Sequence, residues 1–269
     1  MIVKCPLTPL VAITAVVLAG LVVAGCGGGN SVGPGGNTFS QVRSFNALQG
    51  CATPVDFEQI GILPAQFSAG YGSAPARYAP IRAGNGLHYG VFNSGTTTNP
   101  IATANIDLSP HDTGGNANSG TYTLVATGAC GATTGAGVPQ LLRLIDAFPS
   151  DFTGTQNGTV ALRVINLSPD VGTVTLASNG LPLQGNDNTG TTNVEYAGNS
   201  GFVSSHYNSN INLTGSPVLT IRTNANAILA TVPSNFTFAP NHAYTLFVIG
   251  EGTPVNGGQP IMVVPVQDF

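Results

Sequence analysis

The sequence repeats itself at a separation of about 120 residues, and this repeat limits the folds that the chain can adopt. Arg43 and Arg163 are 120 positions apart, and the segment YTLVATG that begins at Tyr122 recurs 122 positions later as YTLFVIG. A third block, VDFEQIG from Val55, corresponds to VTLASNG at a shift of 119. Three blocks in the same order at nearly the same shift indicate a tandem duplication of one domain.

The second copy shows its strand pattern most clearly. Residues 159–180 read TVALRVINLSPDVGTVTLASNG, in which two alternating runs are separated by SPD and followed by NG. Alternation of apolar residues with a period of two indicates β-strands. Proline fixes φ in the SPD turn, and Asn-Gly favours the type I′ turn of a tight hairpin. This stretch therefore predicts two short strands bounded by turns.

Both copies divide into short strands with turn residues between them. In the first copy strands are predicted near 41–47, 54–60, 76–82, 87–93, 101–108, 121–127 and 140–146. In the second they are predicted near 159–167, 172–178, 201–207, 210–213, 217–223, 227–232, 243–249 and 260–266. Such a density of strands is typical of a sandwich. We therefore predict an all-β chain with two tandem immunoglobulin-like antiparallel β-sandwich domains, at 39–148 and 159–269, joined by a linker at 149–158.

The composition fits a folded protein and excludes one class of partner. Hydrophobic residues make up 42% of the 269 positions, which argues against disorder. The only lysine is near the N-terminus, and six arginines are scattered through the rest of a chain whose formal net charge is −4. Nucleic acids and anionic membranes attract clustered basic residues. No nucleic-acid partner is therefore expected.

Residues 1–25 predict a lipoprotein signal peptide. Lys4 is followed by an uncharged apolar run over 10–23, which is shorter than the roughly 20 residues of a membrane-spanning helix. The run ends in VAGC, which resembles the bacterial lipobox, in which the cysteine is acylated and becomes the new N-terminus. The resemblance implies acyl chains, palmitate among them, on Cys26, and attachment to a membrane through them. The alternative is an ordinary signal peptide that is cut nearby, with Cys26 incidental.

The residues around and after this cysteine predict a location and a tether. Residue 27 is Gly rather than Asp, and by resemblance to Gram-negative sorting rules this implies an outer-membrane lipoprotein of the cell envelope. Residues 26–38 are rich in glycine and are expected to form a flexible coil. The first domain is expected to follow this tether.

The repeat resembles the bacterial domain-of-unknown-function family 4397. In the second copy RVINLSPD at 163–170 is similar to the opening of that domain, and AYTLFVIG at 243–250 is similar to its late strand. The first copy departs from the pattern, because QGCATP at 49–54 stands where the Ser-Pro turn is expected. The resemblance implies a β-sandwich in an extracytoplasmic protein, often in tandem. It implies no catalytic residues.

Two cysteines lie outside the signal peptide and its cleavage site. Cys51 follows the first predicted strand, and Cys130 follows the strand that begins at Tyr122. An oxidising compartment favours a disulfide between them, and closing a loop of this size contributes roughly 4–5 kcal/mol in the chain-entropy model. A metal site would need further soft ligands, and the sequence places none nearby.

The sequence contains no pattern that indicates an enzyme or a cofactor. The four histidines show none of the short spacings of a zinc site, and there is no G-x-S-x-G elbow, P-loop or G-x-G-x-x-G. We therefore predict a non-enzymatic protein without metal or cofactor. A hydrolase whose site is assembled in space, from a Ser or Asp beside His206 or His242, remains an alternative.

One stretch is a candidate for ligand binding. Tyr196, Phe202 and Tyr207 lie within 184–216, the longest irregular region of the second copy, and loops held by a scaffold often carry recognition residues. The recurring Tyr122 and Tyr244 are better explained by packing. The sequence thus predicts a lipid-anchored envelope protein with a structural or surface-binding role. The alternative is a carbohydrate- or peptide-binding module that works with a secreted partner.

Overall fold

The structure is a computed structural model that describes residues 39–51, 53–62, 65–75, 77–109, 120–147, 158–183, 190–199, 207–213, 215, 217–254 and 258–268. Within these ranges the chain is all-β, with 16 strands in four four-stranded sheets and one short turn of 3-10 helix at Ala197–Asn199. None of the described segments is a helix with the length and apolar character needed to cross a bilayer. The predicted signal peptide, the tether and Cys26 lie outside the described residues.

Eight strands belong to each half of the chain. The first half contains β1 (Phe39–Gln49), β2 (Val55–Gln59), β3 (Phe67–Ala69), β4 (Ala79–Arg82), β5 (Leu87–Asn93), β6 (Ala102–Ile106), β7 (Thr121–Ala129) and β8 (Gln140–Ile145). The second half contains β9 (Thr159–Asn166), β10 (Val174–Ser178), β11 (Leu181–Pro182), β12 (Asn208–Asn212), β13 (Leu219–Thr223), β14 (Ile228–Thr231), β15 (Ala243–Ile249) and β16 (Met262–Gln267).

The two halves have the same strand order. The first forms sheets β4-β1-β7-β8 and β3-β2-β5-β6, and the second forms β12-β9-β15-β16 and β11-β10-β13-β14. Adding eight to each strand number of the first half gives the order in the second. This correspondence is what a tandem duplication produces. The short strands β3 and β11 were not predicted, and most of the predicted strand at 201–207 lies outside the described residues.

The central pair of strands in each half is parallel, so the prediction of purely antiparallel sheets is wrong at this point. β1 pairs with β7 in parallel register, and β9 pairs with β15 in the same way. Between the two strands of each pair the chain crosses to the other sheet and back twice. Alternation of apolar residues reports which side chains face the core, but it carries no information on the relative direction of two strands.

Each half has one hydrophobic core shared between its two sheets. In the first half Val42 and Tyr122 of one sheet meet Phe57 and Val91 of the other. In the second half Leu162 and Leu246 similarly share a core with the strands of the opposite sheet. Burial of this apolar surface contributes about 25 cal/mol per Å² and holds the two sheets of each half together.

A disulfide joins Cys51 and Cys130, as predicted. Their Cα atoms are 5.2 Å apart, and the backbone N–H of Cys130 donates to the Gln49 carbonyl at 2.9 Å. The bridge therefore links the chain after β1 to the end of β7, and it reinforces the parallel pair at the centre of the first half.

The glycine that ends each YTL repeat is required by the backbone. Gly128 and Gly250 both have φ of +104°. A Cβ at Gly128 would lie 2.7 Å from the Val138 carbonyl oxygen, and a Cβ at Gly250 would collide with the Pro260 carbonyl oxygen. Only glycine allows the returning chain to approach this closely.

Candidate functional site

The outward faces of the sheets β4-β1-β7-β8 and β12-β9-β15-β16 pack on each other, and we call this contact the seam. The central strands of these sheets are therefore buried on both sides, which explains why the burial of β9 and β15 is continuous rather than alternating. The rings of Phe45 and Phe247 stack across the seam with centroids 3.9 Å apart and an interplanar angle of 16°. The other buried members of this apolar cluster are Ala47, Val125, Leu142, Leu144, Ile165, Leu167, Ala197 and Ile249.

A buried arginine of the first half reaches the end of the second half. Arg43 donates from Nε to the Thr123 hydroxyl at 2.9 Å within its own half. It donates from Nη1 to the Gln267 carbonyl at 2.8 Å and from Nη2 to the Asp268 carboxylate. All of the guanidinium nitrogens are therefore hydrogen-bonded, and the charge is paired with a carboxylate that is 225 residues away in the sequence.

The corresponding arginine of the second half makes the reciprocal contacts. Arg163 donates from Nε to the Thr245 hydroxyl at 2.7 Å, from Nη1 to the Ile145 carbonyl at 2.8 Å, and from Nη2 to the Asp146 carboxylate. Each arginine thus binds a threonine of its own half and the Asp of the other half. The seam has approximate twofold symmetry, and the two halves meet through equivalent surfaces.

Hydroxyl groups complete the coordination of both carboxylates. Oδ2 of Asp146 accepts from the Thr123 hydroxyl at 2.5 Å and from the Tyr78 hydroxyl at 3.0 Å. Oδ2 of Asp268 accepts from the corresponding threonine at 2.6 Å and from the Tyr207 hydroxyl at 2.8 Å. A buried carboxylate requires such donors because water cannot reach it.

The arginines also stack on the two tyrosines. The guanidinium carbon of Arg43 lies 4.6 Å from the centre of the Tyr78 ring, and that of Arg163 lies 4.5 Å from the Tyr207 ring. Attraction between a cation and the face of an aromatic ring is stronger where the pair is desolvated. The stacking fixes each guanidinium in the plane that its carboxylate and carbonyl acceptors require.

Burial dominates the electrostatics of the seam. Burial raises the pKa of Tyr207 well above its ordinary value, although the charge of Arg163 opposes this shift. Burial alone would lower the pKa of Arg163, but Tyr207 and the two carboxylates outweigh it and the pKa is raised. Burial likewise raises the pKa of Asp268, against the opposing charges of the two arginines. Two arginines face two aspartates, so the formal charges within the cluster cancel.

The buried ion pairs of the seam can hold the two halves together, and the charged groups bind one another in doing so. The side chains of both arginines are at most 2% exposed, and those of Asp146 and Asp268 are fully buried. Nucleophilic or acid–base catalysis requires a group that can reach a substrate. The charged groups of the seam instead bind one another, so their chemistry is that of a structural network.

The predicted ligand-binding tyrosines turn inward. Tyr196 is 3% exposed and Tyr207 is 5% exposed, and Phe202 lies outside the described residues. Tyr207 is part of the seam, whereas Tyr196 forms a parallel bridge with Asn166 at the end of β9. An aromatic side chain that binds a ligand must be accessible to it. The burial of the two tyrosines does not favour a binding role, and that role stays a prediction.

In the described part of the chain, the contacts of the histidines do not indicate a catalytic site. Nδ1 of His242 lies 3.0 Å from the side-chain amide of Gln267, which is not a nucleophile, and His206 lies outside the described residues. No cluster of three or more His, Cys, Asp or Glu side chains that could bind a metal occurs among the residues that the structure describes. The spatially assembled hydrolase remains a prediction.

The acidic partners of the two repeated arginines were not predicted from the sequence. Asp146 and Asp268 are 122 positions apart, which is the same shift that relates Tyr122 to Tyr244. That shared shift was the available signal, because a recurring charged residue after an apolar strand is unexpected unless a partner neutralises it.

Comparison of the chain with protein-family models and with curated proteins found no match.

Proposed function

We propose that this chain is a non-enzymatic cell-envelope protein, anchored by lipid on Cys26, whose two domains act together in a structural or surface-binding role. The observation that carries the proposal is the seam. Its charged side chains pair reciprocally between the halves. These buried ionic and hydrogen-bonding groups therefore join the two proposed domains into one body. Such a body suits a protein that presents a fixed surface rather than one that turns over a substrate.

The cell-envelope location rests on two independent features. The VAGC segment before Gly27 has the residues of a lipid attachment site. The disulfide between Cys51 and Cys130 supports an oxidising compartment, because such bridges are rare where thiols are kept reduced. Both features point to the extracytoplasmic side of a membrane. The resemblance to sorting rules adds the outer membrane to this proposal.

We also propose that each half is an immunoglobulin-like sandwich of the domain-of-unknown-function family 4397. The backbone N–H of Ala239 donates to the hydroxyl of Tyr244, at the start of β15, at 2.8 Å. The hydroxyl of Tyr122, at the start of β7, donates to the Ser109 carbonyl. A tyrosine that bonds back to upstream backbone at this corner is a feature of immunoglobulin-like sandwiches, and it supports the assignment.

The anchor is tested by intact-mass analysis of the membrane fraction from cells that express the full chain. We expect a mass that matches cleavage before Cys26 plus acyl chains. The Cys26→Ala variant is expected to lose this mass and the membrane association. Cys5→Ala, in the predicted signal peptide, is the matched control and is expected to behave like the natural chain. An unacylated product from all three chains would overturn the proposed anchor.

A further inference from the structure

The outer face of the second half carries a polar depression. It lies on the sheet β11-β10-β13-β14, on the side opposite the core, and it has a volume of about 700 Å³. This volume is within the range of about 300–1,000 Å³ that is usual for small-molecule sites. Residues that line it include Thr175, Leu181, Asn193, Arg222, Asn224 and Asn226. We call this region the outer depression.

Arg222 is held in place within the outer depression by neutral groups. Its Nε donates to the Thr220 hydroxyl at 3.1 Å, and its Nη1 donates to both the backbone and the side-chain oxygen of Asn226 at 3.1 Å. Its Nη2 points toward Gly180 and lies 3.6 Å from the position that a Cβ would occupy there. Within the part of the chain that the structure describes, Nη2 has no hydrogen-bond partner. The guanidinium is therefore fixed, and its Nη2 is still able to donate.

No carboxylate of the residues that the structure describes neutralises this arginine. Among the described residues Arg222 forms no ion pair, and no acidic side chain is among the residues that line the outer depression. Arg43 and Arg163 at the seam are, by contrast, each paired with an aspartate. A pre-oriented guanidinium whose Nη2 is free can donate charge-assisted hydrogen bonds to an anion such as a carboxylate.

The fold does not require these residues. In the second half Thr175 pairs directly with Arg222, and at the equivalent positions of the first half Asp56 pairs with Phe92. The first half thus has the same topology with an acidic residue and an aromatic residue at these places. Arg222 and Thr175 are consequently features of one half and are not needed to build the sheet.

The other side chains that line the outer depression are suited to binding the hydroxyl groups of a ligand. Threonine hydroxyls and asparagine amides can both donate and accept hydrogen bonds, as sugar hydroxyls do. The Thr175 hydroxyl accepts from the Asn193 N–H at 3.1 Å and keeps its own proton to donate. Leu181 is 72% exposed at the rim and offers an apolar surface to the C–H face of a sugar ring. A bound peptide would instead use a strand edge and pockets for alternate side chains.

We propose that the outer depression binds a saccharide that carries a carboxylate, with Arg222 binding the carboxylate and the threonine and asparagine side chains binding the hydroxyls. This inference rests on the surface-binding part of the proposed function and gives it a site and a class of ligand. The lipid anchor is independent of it, since acylation is read by mass and saccharide binding is read by calorimetry.

The test uses isothermal titration of the full chain, purified from whichever cell fraction contains it. The probe is an oligogalacturonate of defined length, and the same oligosaccharide with methyl-esterified carboxyls is the neutral comparison. We expect saturable binding that weakens by about tenfold or more in Arg222→Gln, because hydrogen bonds to a charged group are lost. Arg82→Gln, which removes an exposed arginine of the first half, is expected to leave binding unchanged.

A second variant keeps the test decisive if Arg222→Gln does not fold. Asn224→Asp places a carboxylate at the exposed rim without removing the hydrogen bonds of Arg222, and we expect it to weaken binding of the charged probe by a larger factor than binding of the ester. Binding that is absent, or equal in Arg222→Gln and Arg82→Gln, would overturn the site. Equal Arg222-dependent binding of a tetraglutamate peptide would overturn the saccharide as its ligand.

Discussion

Removal of one seam arginine should destabilise the protein far more than removal of an exposed one. Arg163→Leu deletes three hydrogen bonds and leaves the Asp146 carboxylate buried without its closest counter-charge. Breaking a buried ion pair in this way costs about 3–5 kcal/mol. Nη2 of Arg43 remains 3.9 Å from Asp146 Oδ2, so we expect a value near the lower end. The exposed Arg82→Leu is the control and should change stability by no more than about 0.5 kcal/mol.

The assay is equilibrium unfolding in urea at neutral pH, followed by far-UV circular dichroism with the disulfide intact. Urea is preferred because guanidinium is a salt and would screen charges. A loss of about 3 kcal/mol is a large part of the 5–15 kcal/mol that stabilises a typical domain. The midpoint of Arg163→Leu should therefore fall clearly below those of the natural chain and Arg82→Leu.

A second substitution separates charge compensation from packing. Asp146→Asn alone should destabilise the chain, because it leaves Arg163 without a carboxylate. In the Arg163→Leu background the same change should instead raise stability, because it removes the excess buried negative charge that the loss of Arg163 leaves in the seam. If Asp146→Asn lowers the unfolding free energy equally in both backgrounds, the reasoning about reciprocal charge pairs is refuted.

Three further outcomes follow from the structure. Replacing both Cys51 and Cys130 by Ala should lower the unfolding free energy by about 4–5 kcal/mol in the chain-entropy model, and a denaturation midpoint equal to that of the oxidised chain would contradict it. Gly250→Ala should lower the melting temperature, whereas Gly131→Ala, where a Cβ meets open space, isolates the cost of positive φ alone. Burial raises the pKa of Tyr89 to about 12 from 10.0, so between these values the folded chain keeps a proton that the unfolded chain has lost. Stability should therefore fall as pH rises above about 10, measured as the urea midpoint against pH, and a flat profile would show that this tyrosine ionises equally in both states.

Features with a local or repeated signal could be predicted from the sequence. Alternation located most of the strands, because period-two burial depends on neighbours only two positions apart. The repeat singled out Arg43 and Arg163 as equivalent residues of the two halves. The disulfide was predictable because only two cysteines lie outside the predicted signal peptide and its predicted cleavage site.

The seam could not be predicted in the same way. Its contacts join residues that are far apart in the sequence, such as Arg43 and Asp268, and alternation does not report which sheet faces cover each other. One clue lay in Phe45 and Ile165, which put apolar residues on the side of the strand opposite its own core. A strand that is apolar on both faces is covered on both faces. The sequence predicts a loop surface for Tyr196 and Tyr207, because it does not show the bridge to Asn166 or the hydrogen bond to Asp268 that accompany their burial.

The reciprocal pairing also fixes an order in time. Arg43 lacks its closest carboxylate until residue 268 has been made, whereas the core and the disulfide of the first half need only residues up to 145. During synthesis, the face that bears Phe45 and Arg43 therefore remains uncovered until the second half is complete. An uncovered apolar face with an incompletely hydrogen-bonded arginine is prone to association with other chains. Closure of the seam is thus the last step of assembly, and a chain delayed before β16 is the species that most needs a chaperone.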